Sequence, residues 1–267
     1  MDNLVLPISL EQMVSIARQA GVIMKEHFQP FGMVRKVKDD ETPLTVADTA
    51  VNRMVINCVQ AIDPSIDILG EEESLRTESD WQIACDPIDG TFPFTWGTPI
   101  STFMLALLHK GEVMASVIFD PFMNRMYTAE KGKGAFINGK PISVSTDGMS
   151  DRPVIGYVSW QNCGTDMHAI CGFLESIGFQ AVNYCSIGYF EAMVANGELV
   201  GTIFPQRKLL SFHDTAPGDL LVTEAGGIVT DLNGDPQDYL RDEFRGHIMA
   251  NTWKIHNILF NAVKRCG

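Results

Sequence analysis

The 267-residue sequence predicts an α/β fold in which layers of helices and sheets alternate. Three observations predict it: an amphipathic helical pair at the start, a middle stretch of short apolar runs punctuated by Gly, Pro and Asp, and a later alternation of strand and helix patterns. In the first helix, over residues 10–28, Leu10, Met13, Val14, Ala17, Ala20, Met24 and Phe28 recur at three- and four-residue steps and share one face. A second helix follows Pro43, with Val51, Met54, Val55, Cys58, Val59 and Ile62 on one face and Asp63-Pro64 as its stop.

The apolar runs 66–69, 82–85, 102–108 and 113–119 read as strands of a first, mostly antiparallel sheet. Residues 131–140 carry hairpin punctuation, Asn138-Gly139 especially, before Pro141. After a charged stretch over 146–153 the pattern becomes strand near 154–159, helix near 166–177, strand near 179–184 and helix near 189–196. A helix over about 214–225, a strand over 227–230 and a terminal helix near 254–264 complete the second layer set.

Hydrophobic residues make up 45% of the chain, enough to bury a sizeable core, and no long linker, low-complexity tract or solenoid-length repeat divides it. The opening Met1-Asp2-Asn3-Leu4-Val5-Leu6-Pro7 lacks the basic region of a signal peptide, and no apolar run reaches membrane-spanning length, so a soluble cytoplasmic protein is expected. Six scattered cysteines without a C-x-x-C pair fit reduced, structural thiols. A net charge of −13 disfavours nucleic acid and anionic membranes as partners. It would repel an anionic metabolite as well, unless bound cations reverse the local sign.

The segment Cys85-Asp86-Pro87-Ile88-Asp89-Gly90-Thr91 is the most informative, because an apolar strand there ends in two carboxylates with a proline stiffening the turn between them. Carboxylates and a backbone carbonyl, here that of Ile88, suit hard Mg²⁺. A helix starting at Thr91 would offer the Gly90 and Thr91 amides to a phosphate. Alone, such a string is more often an ordinary surface turn. Likewise a triple-Glu run is usually a solvated face, and an Asp at a helix start is usually a cap.

Two further acidic patches, Gly70-Glu71-Glu72-Glu73 and His213-Asp214 with Asp219 beyond, change the weighing, with Thr45-Val46-Ala47-Asp48 ahead of them. Their order and spacing, with Glu224-Ala225-Gly226-Gly227, Asp120-Pro121, the hairpin at 131–139 and Met193 to Gly197, resemble the inositol monophosphatase family over nearly the whole chain. The resemblance implies a layered αβαβα sandwich of the inositol monophosphatase and fructose-1,6-bisphosphatase type. It also implies one catalytic unit over 1–267, with a metal-binding half to about residue 148 and an α/β half from about 149. The implied chemistry is Mg²⁺-dependent, lithium-sensitive hydrolysis of a small phosphate monoester by a homodimer. Residue by residue, Glu71, Asp86 and the Ile88 carbonyl would hold one Mg²⁺, and Asp86, Asp89 and Asp214 a second. Asp48 and Thr91 would orient and deprotonate the attacking water, with Glu71 placing it or a third, looser ion.

Departures from the family pattern bear on the substrate. Phe92-Pro93-Phe94 follows Thr91 where a polar segment is usual, and His213 replaces the usual Trp. Arg207-Lys208 falls where inositol-hydrolysing members carry an acid, so Arg207 is a candidate grip on a second phosphate or a carboxylate, with a solvated surface pair as the alternative. Ser186 is a weaker candidate of the same kind, and Asp89, Gly90 and Thr91 complete the candidate substrate contacts. Inositol phosphate, histidinol phosphate, fructose 1,6-bisphosphate and 3'-phosphoadenosine 5'-phosphate all remain open as substrates. A regulatory binding protein on the same fold is the alternative of another class. No G-x-S-x-G elbow, Walker A loop, H-E-x-x-H or Cys/His zinc spacing competes, and the six histidines are dispersed.

Overall fold

A computed structural model describes residues 5–30, 36–37, 43–146, 152–159, 163–206, 212–240 and 245–267. The N-terminal periodicity becomes α1 (Leu10–His27), opened by a capping box in which the Ser9 hydroxyl accepts from Gln12 N–H and the Gln12 side chain accepts from Ser9 N–H. A two-stranded ribbon, β1 (Lys36–Val37) and β2 (Pro43–Leu44), leads to α2 (Val46–Ile62), which starts on a second box formed by Thr45 and Asp48. Each helix buries one stripe, Met13, Ile16, Ala17, Ala20 and Met24 on α1 and Ala47, Val51, Val55 and Val59 on α2.

The next elements are β3 (Asp67–Gly70), β4 (Trp81–Asp89), α3 (Thr91–Thr95), β5 (Thr102–His109), β6 (Glu112–Asp120), β7 (Arg125–Glu130), β8 (Ala135–Ile137) and β9 (Lys140–Ile142). These seven strands form one sheet in chain order, parallel between β3 and β4 and antiparallel elsewhere. Alternation along β5 sends Phe103, Leu105 and Leu107 into one core with α1 and α2, and Met104, Ala106 and Leu108 into another on the opposite face.

The C-terminal part runs β10 (Val154–Tyr157), α4 (Met167–Ser176), β11 (Gln180–Val182), α5 (Ile187–Ala195), β12 (Gly201–Phe204), α6 (Phe212–Glu224), β13 (Ile228–Thr230), β14 (His247–Ala250) and α7 (Trp253–Cys266). Its five strands order as β11-β10-β12-β14-β13. Phe190, Val194, Leu220 and Leu221 of α5 and α6 share a core with Met104 of the first sheet and Phe204 and Met249 of the second, so these two helices lie between the sheets. Helices α4 and α7 cover the far face through Ile170, Leu174, Leu259 and Val263 against Ile155, Ile203 and Ile248. The layers are therefore α1/α2, seven strands, α5/α6, five strands and α4/α7, the expected αβαβα sandwich.

Two expectations change. Strand β4 does not stop at Cys85 before a turn; it runs through Asp89, with Asp86 paired to Met104 and Asp89 to Thr102. Three steps on β4 thus face two on β5, a bulge that absorbs Pro87 without breaking the sheet. Strands β7, β12 and β14 lie where no strand was read. The last two are four residues long and buried throughout, so they show no polar alternation.

Helix α1 sits close on β6 because Gly21 has no side chain: a Cβ there would stand 2.4 Å from the Phe119 ring. Gly21→Val is expected to cost about 1–3 kcal/mol in denaturant unfolding. Gly172→Ala on α4, where a Cβ meets nothing within 4 Å, is expected to be neutral or to gain up to about 1 kcal/mol. Equal destabilisation by both would contradict this packing.

Candidate functional site

The bulge at the end of β4 places Asp86 and Asp89 side by side, both buried. Asp86 accepts from the Ile88 N–H at 3.0 Å, which bends the chain back so that the carboxylate faces the neighbouring acids. Asp89 is held far more tightly. It accepts from the Thr102 hydroxyl at 3.0 Å, from the Ser186 hydroxyl, and from the Ile187 and Gly188 N–H groups at 2.8 and 3.0 Å. Those amides open α5, so the carboxylate lies at the positive end of a nine-residue helix.

Asp48 reaches the same place from α2. Its Oδ2 accepts from the Thr45 N–H at 2.8 Å and from the Thr45 hydroxyl at 2.5 Å, so the cap that starts the helix also aims the acid. Glu71 is fixed by its own N–H, which donates to the Cys85 carbonyl at 3.1 Å. The loop behind it is tied to α2 by Asn52, whose side-chain amide donates to the Glu73 carbonyl. Gly70 is required there, because a Cβ would stand 2.3 Å from Asn52 Oδ1. Carboxylate oxygens of Asp48, Glu71 and Glu72 lie within 4.8 Å of one another. Asp214 arrives from the first turn of α6, with His213 Nε2 3.4 Å from its Oδ2.

Burial and mutual repulsion act on these acids together. Burial pushes the Asp86 carboxyl well above the usual range, and the charges of Glu71, Asp89, Asp214 and Asp48 push it further. Burial likewise raises Asp89 to about 6 against the pull of Ser186, Ile187 and Thr102, with Asp214 adding to the rise. Asp48 is pushed up to about 7 by burial, opposed by the Thr45 hydrogen bonds and assisted by Glu71 and Glu72. The donor set is oxygen only and its members repel one another at short range. That is the composition a hard divalent cation such as Mg²⁺ fits. Glu71, Asp86, the Ile88 carbonyl, Asp89 and Asp214 are the candidate oxygen donors.

Beside the acids, Gly90 adopts φ +79°, where a Cβ would stand 2.9 Å from both the Ile100 carbonyl oxygen and Ser186 Cβ. It caps α3, whose first turn has no side-chain cap. Pro93 falls in that first turn, where its missing N–H breaks no helical bond. The Thr91 hydroxyl donates to the Ile88 carbonyl at 3.0 Å. Of the residues singled out in the sequence, Asp48, Glu71, Asp86, Ile88, Asp89, Gly90, Thr91 and Asp214 are thus brought together. Ser186 is buried as the N-cap of α5 and turns its hydroxyl to Asp89, and Arg207 with Lys208 lies outside the described residues. The reading missed Thr45, which the Thr-x-x-Asp capping pattern signals. Thr102 carries no such signal.

The inositol monophosphatase family profile matches residues 9–267. The chain belongs to this family. Members of this family include mouse inositol monophosphatase 1, 29% identical over 254 residues and covering 86% of each chain. Nus factor SuhB of Salmonella typhimurium is 32% identical over 229 residues, covering 83% of this chain and 84% of its own. The solved structure of a Thermotoga maritima IMPase matches with a TM-score of 0.85 at 26% identity, covering 96% of each chain. Family membership makes the chain a phosphatase of the inositol monophosphatase type.

Between the unfolded carboxylate value of 3.8 and the folded values of about 6 for Asp89 and about 7 for Asp48, the metal-free native chain holds more protons than the unfolded one. These groups therefore lower stability as pH rises through that window. In EDTA, Asp48→Asn is expected to gain more stability over the parent protein at about pH 8 than at about pH 5. Thermal unfolding at both values checks this, and a gap independent of pH would contradict it.

Proposed function

We propose that the chain hydrolyses a small phosphate monoester, with inositol phosphate the first candidate, using Mg²⁺ held by Glu71, Asp86, the Ile88 carbonyl, Asp89 and Asp214. The observation that carries this reading is the convergence of the Glu71, Asp89, Asp214 and Asp48 carboxylates on Asp86, whose own pKa is raised by burial and then by their charges, in a chain of a phosphatase family. Bound cations supply Lewis acidity and neutralise the charge that develops on the phosphoryl group.

The protein's own residues do the rest. The Gly90 and Thr91 amides receive the oxygens of the phosphoryl group. Thr45 occupies Oδ2 of Asp48, so the proton of the attacking water passes to Oδ1. A carboxylate raised to about 7 is suited to that role near neutral pH. The Thr91 hydroxyl, already donating to the Ile88 carbonyl, accepts from the same water and fixes its line of attack. Glu71 helps to place that water. Ser186 acts through Asp89, and Arg207 is the candidate grip on a second anionic group.

The family resemblance further supports a homodimer acting in the cytoplasm and inhibited by Li⁺. No helix among the described residues is long and apolar enough to cross a membrane. Histidinol phosphate, fructose 1,6-bisphosphate and 3'-phosphoadenosine 5'-phosphate are the substrate alternatives. A second reading, binding of a macromolecular partner, draws on the likeness to Nus factor SuhB; the net charge of −13 favours a protein over a nucleic acid as that partner.

Phosphate release from these four esters, with Mg²⁺ and with EDTA, is expected to show one preferred, EDTA-sensitive substrate. Asp89→Asn is expected to lower that turnover by at least about a hundred-fold. No turnover of any ester by folded, Mg²⁺-loaded protein would overturn the proposal, as would an Asp89→Asn variant that stays fully active.

A further inference from the structure

Away from the carboxylate cluster, three titratable side chains from three elements meet where α5, α6 and β14 pack together: Glu191, Asp219 and His247. The side chains of Glu191 and His247 are 0% exposed and that of Asp219 is 11% exposed. His247 Nε2 stands 2.5 Å from Asp219 Oδ1, and Nδ1 stands 3.9 Å from Glu191 Oε1. One ligand atom from each residue lies within 4.8 Å of the other two. The phosphatase reading uses none of the three.

A buried ion pair does not account for this arrangement. His247 and Asp219 stand at ion-pair distance, but that pairing leaves Glu191 unexplained. Neither oxygen of Glu191 has a hydrogen-bond partner. The pocket nevertheless makes room for the group: a Cβ on Gly218 would stand 1.9 Å from Glu191 Oε2, so α6 carries glycine where the carboxylate rests. Asp219 is held by its other oxygen, Oδ2, which accepts from the Tyr239 hydroxyl. That leaves Oδ1 turned towards the histidine, the kind of outer hydrogen bond that fixes a metal ligand.

We propose that Glu191, Asp219 and His247 form a second cation site, for a borderline transition-metal dication of the Zn²⁺ class. One imidazole nitrogen with two carboxylate oxygens is a ligand set such ions take in four-coordinate geometry, whereas Mg²⁺ prefers oxygen alone and keeps its waters. The ion would join α5 and α6 to the five-stranded sheet. The first turn of α5 holds Asp89 and that of α6 carries Asp214, so occupancy would also fix the spacing of those two acids. The site does not rest on the phosphatase reading.

The test strips the full chain with chelator, reloads it with Zn²⁺ under a large excess of Mg²⁺, dialyses it and measures the metal retained. About one Zn²⁺ per chain is expected in the parent protein and in Asp86→Asn, which disables the other cluster, and less than about a tenth of that in the isosteric Glu191→Gln. No retained Zn²⁺ in the parent protein would overturn the proposal, and so would retention by Glu191→Gln equal to the parent's, or its loss in Asp86→Asn. Should Glu191→Gln fail to fold, X-ray absorption at the zinc edge of the loaded parent decides: imidazole scattering in the first shell is expected, and a shell of oxygen alone would contradict the site.

Discussion

Like charges buried together repel strongly because little water screens them, and the site at the end of β4 is arranged around that repulsion. Asp86 feels Glu71, Asp89, Asp214 and Asp48 at once. The protein offsets part of this at Asp89, through the Thr102 and Ser186 hydroxyls and the first amides of α5, and part at Asp48, through Thr45. Asp86 receives a single N–H among the bonds described, that of Ile88. Of these three acids Asp86 is thus the least compensated, which leaves a divalent cation as the natural counter-charge.

The layers serve this arrangement. Helices α5 and α6 fill the space between the sheets with apolar side chains, and their first turns meet the acids of β4. Helix α2 covers the other face of the seven-stranded sheet and brings Asp48 in on its capping box. Acids that lie far apart in sequence are therefore aimed by the same contacts that form the core. Close backbone approach at Gly70 and Gly90 permits it, since a side chain at either position would meet its neighbours at under 3 Å. The cost of gathering the acids is spread over the whole fold, which is how strained or repulsive functional sites persist in stable proteins.

Much of this was legible in the sequence. The helical pair declared itself through one-sided apolar spacing, and the acidic motifs, each at the end of an apolar run or the start of a helix, through their joint resemblance to a family. The path of β4 was not legible: Pro87 and Gly90 carry turn chemistry, and only the pairing with β5 reveals that the strand continues by a bulge. Ser186 read as a substrate contact, but the side to which an N-cap hydroxyl points depends on what the helix packs against, here Asp89. Strands β12 and β14 are buried throughout and lack the alternation that marks a half-exposed strand. Glu191 did leave a trace, a single acid in the otherwise apolar run of α5, but its partners Asp219 and His247 come from distant segments that only the fold brings together.

The central claim is that the carboxylates around Asp86 exist to hold divalent cations. Calorimetric titration of chelator-stripped protein with Mg²⁺ tests it most directly, comparing the parent chain with Asp86→Asn and Zn²⁺-loaded samples of each. Saturable Mg²⁺ binding by the parent protein, lost in Asp86→Asn and indifferent to the choice of substrate, is the result the account predicts. Binding that is absent from the parent, or equally strong in Asp86→Asn, would contradict it.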